Sequence, residues 1–410
     1  MSALHIETEA EAVGMSSARL ARIDRHFRTY VDDGRLPGWQ IVVARHGKVV
    51  HHSVYGKRDM ADGRAVEADT IWRIYSMTKP ITAVLALQLW EEGAFELNDP
   101  VHRYIPAFAD TKVWRAGSVN NPVLDPQVDH MKVWQLFAHT AGLTYGFMYN
   151  HPVDDLYRRA GFEWGMPGEN LAEMCDRLAT LPLVFQPGSE WNYSMGLDVL
   201  GRVLEVVSGT PLDVLMRERL LDPLGMHDTT WWVEPERQSR LATLYGAHPQ
   251  TRQAIPLDAM GNGALHPPKI FGGGGGLAST AADYQRFIQM LCNGGELDGV
   301  RILSPRTVRY MASNHLPNNA DLTEFGRPLF SETTFDGVGF GLGVSVTIDP
   351  VKGRVPGNAG EFAWGGAAST AFWVDPVDDL TVSFFTQLLP SSVHPIRSQL
   401  KQLTYQALLD

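Results

Sequence analysis

Residues 72–89, WRIYSMTKPITAVLALQL, carry the strongest structural signal in the chain. Pro80 falls where the first turn of a helix tolerates a proline, and Gly93 suits the end of a helix. The apolar residues between them follow helical spacing: Ile81, Val84, Leu85, Leu87 and Leu89. The pattern therefore predicts a helix from Ser76 to about Glu92, with Ser76 at its N-terminus.

The start of this helix places a hydroxyl and an amine on one face. Ser76 and Lys79 are one helical turn apart, so the amine can take a proton as the hydroxyl attacks a carbonyl carbon. The helix N-terminus also offers backbone N–H groups to a developing oxyanion. The spacing alone is weak, because Ser398 and Lys401 repeat it within a predicted C-terminal helix that lacks comparable flanking residues. The residues that flank Ser76 are therefore stronger evidence for a catalytic role than the spacing is.

Two further segments carry residues suited to acyl transfer. Pro187 and Gly188 form a turn that leads to Tyr193, just before a predicted helix over residues 197–207. A phenol close to a lysine ammonium can act as a base, although most tyrosines only pack their rings and donate a hydrogen bond. Residues 364–367, WGGA, precede a predicted strand, and their small side chains would let a backbone N–H approach a substrate carbonyl. On its own this segment could equally be a glycine-rich bend in an edge strand.

These motifs, in this order, resemble those of the class C β-lactamase-like serine hydrolases, and most closely those of the family VIII carboxylesterases. Residues 136–143, LFAHTAGL, and residues 271–280, FGGGGGLAST, add to the likeness. The resemblance spans about residues 20–405, so it implies the fold of the whole chain.

The resemblance also assigns roles to individual residues. It implies that Ser76 is the nucleophile, with Lys79 and Tyr193 as general base and general acid, and it leaves open which of the two holds the proton at rest. Backbone N–H groups of Ser76 and Ala367 would form the oxyanion hole. His139 is expected to fix its loop by a hydrogen bond rather than to act in catalysis. The residues expected to contact the substrate are Tyr145, Met195, Trp364, Gly365 and Gly366.

Two departures from the β-lactamase pattern bear on the substrate. A β-lactamase of this kind carries asparagine where this chain has Met195, and Trp364 stands at the position of the lysine in its KTG motif. A lost buried polar contact costs about 1–3 kcal/mol, so efficient β-lactam turnover is not expected. The chain is therefore interpreted as a serine carboxylesterase that cleaves small-molecule esters of short to medium chain length through an acyl-enzyme. The alternatives are an acyltransferase, a D-peptidase or amidase, a weak β-lactamase and, from another class, a non-catalytic binding homologue.

The remaining patterns predict how the sheet is assembled. Residues 39–56 alternate and are rich in β-branched side chains around a central tight turn, as in a β-hairpin. Strand-like segments return near the C-terminus at 339–348, 369–374 and 380–386. We therefore predict an α+β fold of the β-lactamase/transpeptidase-like type, with a central antiparallel sheet that is built from both chain ends and flanked by helices.

The same patterns predict two lobes. Residues 1–107 and 265–410 would form a discontinuous α/β lobe around the sheet, and residues 108–264 would form a mainly helical lobe. The active site would lie in the cleft between them. The glycine run at 272–276 lacks the lysine that follows in a phosphate-binding loop, so we expect a closely packed passage beside the active-site sheet.

Composition bears on the partners of the chain. Its 410 residues include 35 Lys+Arg and 46 Asp+Glu, a formal charge of −11, so neither nucleic acid nor an anionic membrane is an expected partner. Cys175 and Cys292 stand far apart, which excludes a disulfide framework or a cysteine-rich metal site. The proposed chemistry requires no cofactor and no metal. The N-terminal segment lacks an apolar core of signal-peptide length, so we expect a cytoplasmic protein, and the sequence does not determine its oligomeric state.

Overall fold

The computed structural model describes residues 4–327 and 335–410. Its strands are β1 Gly38–Arg45, β2 Lys48–Gly56, β3 Ile71–Arg73, β4 Val113–Ser118, β5 Asn121–Asp125, β6 Tyr245–Ala247, β7 Ala254–Pro256, β8 Ala278–Thr280, β9 Glu296–Leu297, β10 Val300–Arg301, β11 Val338–Phe340, β12 Ser345–Thr347, β13 Phe362–Gly365, β14 Ala371–Asp375, β15 Leu380–Phe385 and β16 Leu388–Leu389. Its α-helices are α1 Ser17–Asp32, α2 Thr78–Glu91, α3 Val133–Phe137, α4 Pro152–Arg159, α5 Leu171–Ala179, α6 Gly196–Ser208, α7 Leu212–Met216, α8 Asp258–Gly261, α9 Ala281–Cys292, α10 Pro305–Met311, α11 Leu322–Phe325, α12 Pro350–Gly353 and α13 Ile396–Tyr405.

A seven-stranded sheet forms the centre of the described part of the molecule, in the order β11-β12-β13-β14-β15-β1-β2. All of its neighbouring strands are antiparallel. Strand β1 lies between β15 and β2, with Ile41 opposite Phe384 on one side and Ser53 on the other. The prediction of an antiparallel sheet built from both chain ends is confirmed.

Both faces of the sheet are covered, and alternate side chains of β1 pack against each face. Trp39, Ile41 and Val43 pack in the core that includes α1 and α13. Val42 and Ala44 pack in the core that includes α2 and α9. Successive side chains of a strand point to opposite faces, so a strand that is covered on both sides is apolar along its length.

Helix α2 runs through the larger of these cores. Every residue from Thr78 to Leu89 is buried, which explains why the helix is apolar all round rather than along one stripe. Directly before it, β3 pairs antiparallel with β8, with Trp72 opposite Ser279. Because the glycine run at 272–276 precedes β8, this pairing places the run alongside the start of α2.

Several predicted elements are confirmed. The hairpin predicted over residues 39–56 is formed by β1 and β2, and the helix predicted over residues 197–207 is α6. The segment 339–348 forms two short strands, β11 and β12, so the prediction of one strand was wrong. Gly343 lies between them at a φ of 85° and turns the chain, so the two strands pair with each other.

Helices make up most of the regular structure in the region predicted as the second lobe. It contains α3 to α8 together with the hairpin β4–β5. Strands β6 and β7 join β16 from near the C-terminus in a separate sheet, and the lobe boundaries stay a prediction. In the ranges that the structure describes, every helix is too short or too polar to cross a bilayer.

Candidate active site

The candidate nucleophile lies at the junction of β3 and α2. The chain passes from strand to helix through the 3₁₀ turn Tyr75–Met77, so the helix that was predicted from Ser76 begins at Thr78. Tyr75 has a φ of 44°, a left-handed conformation that is unfavourable for a bulky residue. The turn is tied to the neighbouring strand, since the Leu277 N–H donates to Thr78 Oγ1 at 3.3 Å.

Two side chains donate hydrogen bonds to Ser76 Oγ. The Tyr193 hydroxyl lies 2.6 Å from it, and Lys79 Nζ lies 3.3 Å from it. The Lys79 amine also lies 4.6 Å from the centroid of the Tyr193 ring. The structure thus brings together the three residues that the sequence motifs nominated for catalysis. A serine in this arrangement can pass its proton to the amine or to the phenol oxygen as it attacks a carbonyl.

The lysine amine is also held from a second side. Lys79 is 1% exposed, and its Nζ donates to the Gly274 carbonyl at 2.6 Å. Asp198 is part of the same contact, because its carboxylate accepts the Gly274 N–H at 2.8 Å. Burial raises the pKa of the Asp198 carboxyl, and the nearby charge of Lys79 opposes that rise. These contacts fix the amine beside Ser76.

The first three glycines of the run have no room for larger side chains. A Cβ atom on Gly273 would lie 2.4 Å from the Leu197 carbonyl oxygen, and one on Gly274 would lie 2.4 Å from a carboxylate oxygen of Asp198. The prediction of a closely packed passage is confirmed for these three glycines, while a Cβ atom on Gly275 would have no atom within 4 Å. The passage also supplies the carbonyl that holds Lys79.

The segment that carries Tyr193 is fixed to the segment that carries His139. The Asn192 N–H donates to the His139 carbonyl at 2.9 Å, and His139 Nδ1 lies within hydrogen-bond distance, 3.1 Å, of Ser194 Oγ. Burial, and to a smaller extent the charge of Lys79, hold the pKa of His139 well below its usual value. The imidazole is therefore neutral at pH 7, and its contacts agree with a structural role.

A cavity of about 410 Å³ opens beside Ser76. One wall is a series of stacked rings, in which Tyr145 and Phe147 lie 4.6 Å apart and Phe147 and Trp164 lie 4.6 Å apart. Trp164 is 61% exposed, so the series runs from the buried site to solvent. Burial raises the pKa of Tyr145 well above its usual value, which keeps its hydroxyl protonated. Further apolar lining residues are Met166, Met195, Trp231, Ile270 and Leu277.

The turn between β13 and β14 brings Ala367 to the same cavity as Ser76. Gly366 allows this approach, because a Cβ atom on it would lie 2.5 Å from the Ile74 carbonyl oxygen. Ile74 directly precedes the 3₁₀ turn that carries the nucleophile. The oxyanion hole predicted at Ser76 and Ala367 is therefore geometrically possible.

Three predicted substrate contacts lie outside the cavity lining. Trp364 packs against Tyr193, with ring centroids 5.5 Å apart, and is 9% exposed. A Cβ atom on Gly365 would meet the guanidinium of Arg397, so this glycine gives room to a side chain. Neither these two residues nor Gly366 lines the cavity, and a direct substrate contact for them stays a prediction. Tyr145 and Met195 do line it.

Three groups of the site were not singled out in the sequence. Arg73 and Asp198 line the cavity, and the carbonyl of Gly274 holds the lysine amine. The two charged residues do leave a signal, because each stands within an apolar segment, IWRI for the arginine and GLDVLG for the aspartate. A charge inside a buried element needs partners, so both segments pointed to a polar site.

Both cysteines of the chain lie away from the cavity. Burial raises the pKa of both Cys175 and Cys292, and neither thiol lines the cavity. Within residues 4–327 and 335–410, His, Cys, Asp and Glu side chains form no group of three or more that could hold a metal ion.

Known proteins resemble this chain over most of its length. Residues 23–406 match the Beta-lactamase family. Esterase EstB of Burkholderia gladioli is 32% identical over 394 residues, which cover 92% of each chain. Protein Rv1367c of Mycobacterium tuberculosis is 38% identical over 367 residues, which cover 88% of each chain. The solved structure of EstCE1, a hydrolase with promiscuous acyltransferase activity, is 27% identical with a TM-score of 0.78, over 95% of this chain and 99% of that one.

Proposed function

The chain belongs to the Beta-lactamase family, and from this premise we propose that it is a serine carboxylesterase that hydrolyses short- to medium-chain esters. One observation carries the proposal. Ser76 Oγ accepts hydrogen bonds from both Tyr193 and Lys79 at the edge of a largely apolar cavity. A nucleophile, two groups that can move its proton and room for an acyl chain are what ester cleavage needs.

In the proposed reaction, Ser76 loses its proton to Lys79 or Tyr193 while Oγ bonds to the ester carbonyl carbon. The negative charge that develops on the carbonyl oxygen is stabilised by the backbone N–H groups of Ser76 and Ala367. The bond to the alkoxy oxygen then breaks, and Tyr193 supplies the proton that leaves with the alcohol. In the second half, water gives a proton to the same groups as its oxygen bonds to the acyl carbon. The bond between that carbon and Ser76 Oγ then breaks, the proton passes to Oγ, and the acid is released.

The residues at two positions of the site support an ester over a β-lactam. Met195 lines the wall at the position where a β-lactamase has asparagine, and Trp364 fills the position of a lysine with an apolar ring. Tyr145 and Met195 are the proposed contacts for the acyl or alcohol group. An apolar wall suits the hydrocarbon part of an ester, because burial of apolar surface contributes about 25 cal/mol per Å².

Acyl transfer is a second candidate, favoured by the promiscuous acyltransferase activity of EstCE1. The first half of the reaction would be unchanged, and an alcohol would replace water in the attack on the acyl-enzyme. Ester synthesis in the presence of excess alcohol, measured beside hydrolysis in the same assay, distinguishes the two activities.

The decisive experiment is hydrolysis of a p-nitrophenyl ester series by the wild type and Ser76→Ala, with a fluorophosphonate label read by intact mass. Loss of the nucleophile should lower turnover by about three orders of magnitude or more and abolish labelling. Nitrocefin assayed in parallel should be turned over far more slowly than the esters.

The chain provides a matched control in its second Ser-x-x-Lys sequence. Ser398 lies in α13, and its hydroxyl donates to the Pro395 carbonyl at 3.2 Å. Ser398→Ala should keep wild-type turnover and a single label. An inactive, unlabelled wild type would favour the non-catalytic homologue, and a label that persists in Ser76→Ala would rule out Ser76 as the nucleophile.

A further inference from the structure

Arg73 is a buried cation in the wall of the candidate active-site cavity. It ends β3, just before the turn that carries Ser76, and is 8% exposed. Its backbone is fixed by Gln387, whose side chain accepts the Arg73 N–H at 3.2 Å and donates to the Arg73 carbonyl at 3.0 Å. The side chain therefore begins from a rigid position.

The guanidinium is bonded to neutral groups. Nη1 donates to the Ala242 carbonyl at 2.6 Å, and Nη2 donates to the Gly261 carbonyl. Nε is buried without a hydrogen-bond partner, and no carboxylate of the described residues forms an ion pair with Arg73. Burial lowers the pKa of this arginine, but a guanidinium remains charged at any physiological pH.

The other charges of the cavity wall are better matched. Asp198 accepts the Gly274 N–H and lies near Lys79, and Glu163 accepts a hydrogen bond from the Tyr149 hydroxyl. Arg73 differs from these residues because its guanidinium has backbone carbonyls as its hydrogen-bond acceptors and, besides them, an electrostatic interaction with the Tyr75 phenol. A buried cation with this set of partners is costly, and an anion bound beside it would offset that cost.

We propose that Arg73 anchors a carboxylate carried by the substrate, so that the enzyme prefers esters with a carboxylate away from the bond that is cleaved. The inference rests on the proposed esterase function and narrows its substrate class. Arginine suits the task because its N–H groups match the geometry of a carboxylate. The carboxylate would belong to either the acyl or the alcohol part, and the apolar wall would hold the remainder.

The test compares kcat/KM for charged esters and their neutral isosteres in the wild type, Arg73→Gln and Arg73→Lys. For the alcohol part the pair is 4-acetoxybenzoate and 4-acetoxybenzamide, and for the acyl part it is p-nitrophenyl hydrogen glutarate and p-nitrophenyl glutaramate. The quantity compared is the ratio of kcat/KM for the charged ester to kcat/KM for its neutral isostere. In the pair whose carboxylate reaches Arg73, Arg73→Gln should lower this ratio on the order of tenfold or more. Arg73→Lys should retain part of the preference. Because each ratio is compared between variant and wild type, differences in the intrinsic reactivity of the esters cancel.

Arg45 provides the matched control. It is a buried arginine outside the cavity that donates to the Val13 and Gly14 carbonyls and, unlike Arg73, also pairs with a carboxylate, that of Asp410. Arg45→Gln should leave both ratios unchanged. Ratios unchanged in a folded Arg73→Gln variant would overturn the inference. If neither Arg73 variant folds, the test is made with the wild type, by measuring how benzoate and benzamide inhibit hydrolysis of a neutral ester. Equal inhibition by the two compounds also overturns the inference. A wild type that hydrolyses none of the four esters contradicts the esterase proposal itself.

Discussion

At Ser76 the chemistry depends on how one oxygen atom is surrounded. A free serine hydroxyl is a weak nucleophile, and here its oxygen lies within hydrogen-bond distance of a phenol and an amine. The amine is held in turn by the Gly274 carbonyl, so its position does not depend on the serine. This arrangement gives the phenol and the amine separable tasks, because only the phenol is expected to protonate the leaving alcohol.

Tyr193→Phe tests the task of the phenol. The substitution keeps the ring that packs against Trp364 but removes the hydroxyl that contacts Ser76, so the fold should persist. We expect kcat/KM for p-nitrophenyl esters to fall by about 10²- to 10⁴-fold, with a melting temperature close to that of the wild type. Tyr30→Phe is the control, since Tyr30 lies on α1 and its hydroxyl donates to Gln399 on α13, so that its loss should leave kcat/KM unchanged. Near-normal rates in Tyr193→Phe would exclude the phenol from proton transfer.

The residues of the site differ in how far the sequence reveals them. Ser76 and Lys79 stand one helical turn apart, so their proximity follows from local structure alone. The contact of Lys79 with Gly274 joins residues that are far apart in the chain, and it exists only because β3 pairs with β8. Arg73 stands out in the sequence as a charge within an apolar segment, but its hydrogen-bond partners do not, because they are backbone carbonyls far away in the chain.

Among the elements, the turn between β13 and β14 has the most direct effect on the site. Its backbone passes so close to the segment before the nucleophile that only glycine fits at 366. The closeness places Ala367 on the cavity wall beside Ser76. An oxyanion hole that uses one N–H from each segment would therefore depend on this contact.

Gly366→Ala tests this dependence. The new methyl would lie 2.5 Å from the Ile74 carbonyl oxygen and 2.3 Å from Thr370 Oγ1, so the turn must move away from the nucleophile. Small displacements of catalytic groups cost on the order of 10²-fold in rate, and we expect kcat for p-nitrophenyl esters to fall by one to two decades. Gly360→Ala is the control: its φ of 92° strains the backbone, but its methyl meets no atom within 4 Å. That variant should lose some thermal stability and keep its kcat, and an unchanged kcat in Gly366→Ala would contradict the proposed oxyanion hole.

Not every element was found in the sequence, and α1 is the clearest omission. Its buried residues, Leu20, Ile23, Phe27 and Tyr30, follow the spacing of an amphipathic helix, and the Ser16 hydroxyl caps its N-terminus by accepting the Arg19 N–H. These signals were present in the sequence and could have predicted the helix. By contrast, the division of residues 339–348 into two strands depends on the packing of Gly343, where a Cβ atom would lie 2.6 Å from that of Ala83 in α2.

On the scale of the whole molecule, the sheet separates two cores with different consequences for the site. On one face, Phe384 packs against Phe27 of α1, with ring centroids 5.2 Å apart, in a core that is remote from the cavity. On the other face, Phe385 lies 6.3 Å from Tyr284, whose hydroxyl donates to the Met77 carbonyl beside the nucleophile. The sequence patterns predicted this sheet in outline. Which face of the sheet each side chain occupies depends on how strands from the two chain ends pair.

Phe384→Leu and Phe385→Leu test this separation with adjacent residues of one strand. Both side chains are fully buried, so each substitution should lower the free energy of unfolding by roughly 1–3 kcal/mol, measured by urea denaturation. Turnover per active site, titrated with the fluorophosphonate, should stay at the wild-type value in Phe384→Leu. It should fall several-fold in Phe385→Leu, because the packing that supports Tyr284 and the turn at Met77 is loosened. Equal turnover in both variants would mean that the nucleophile is positioned by its own turn and by β8, independently of the core beneath it.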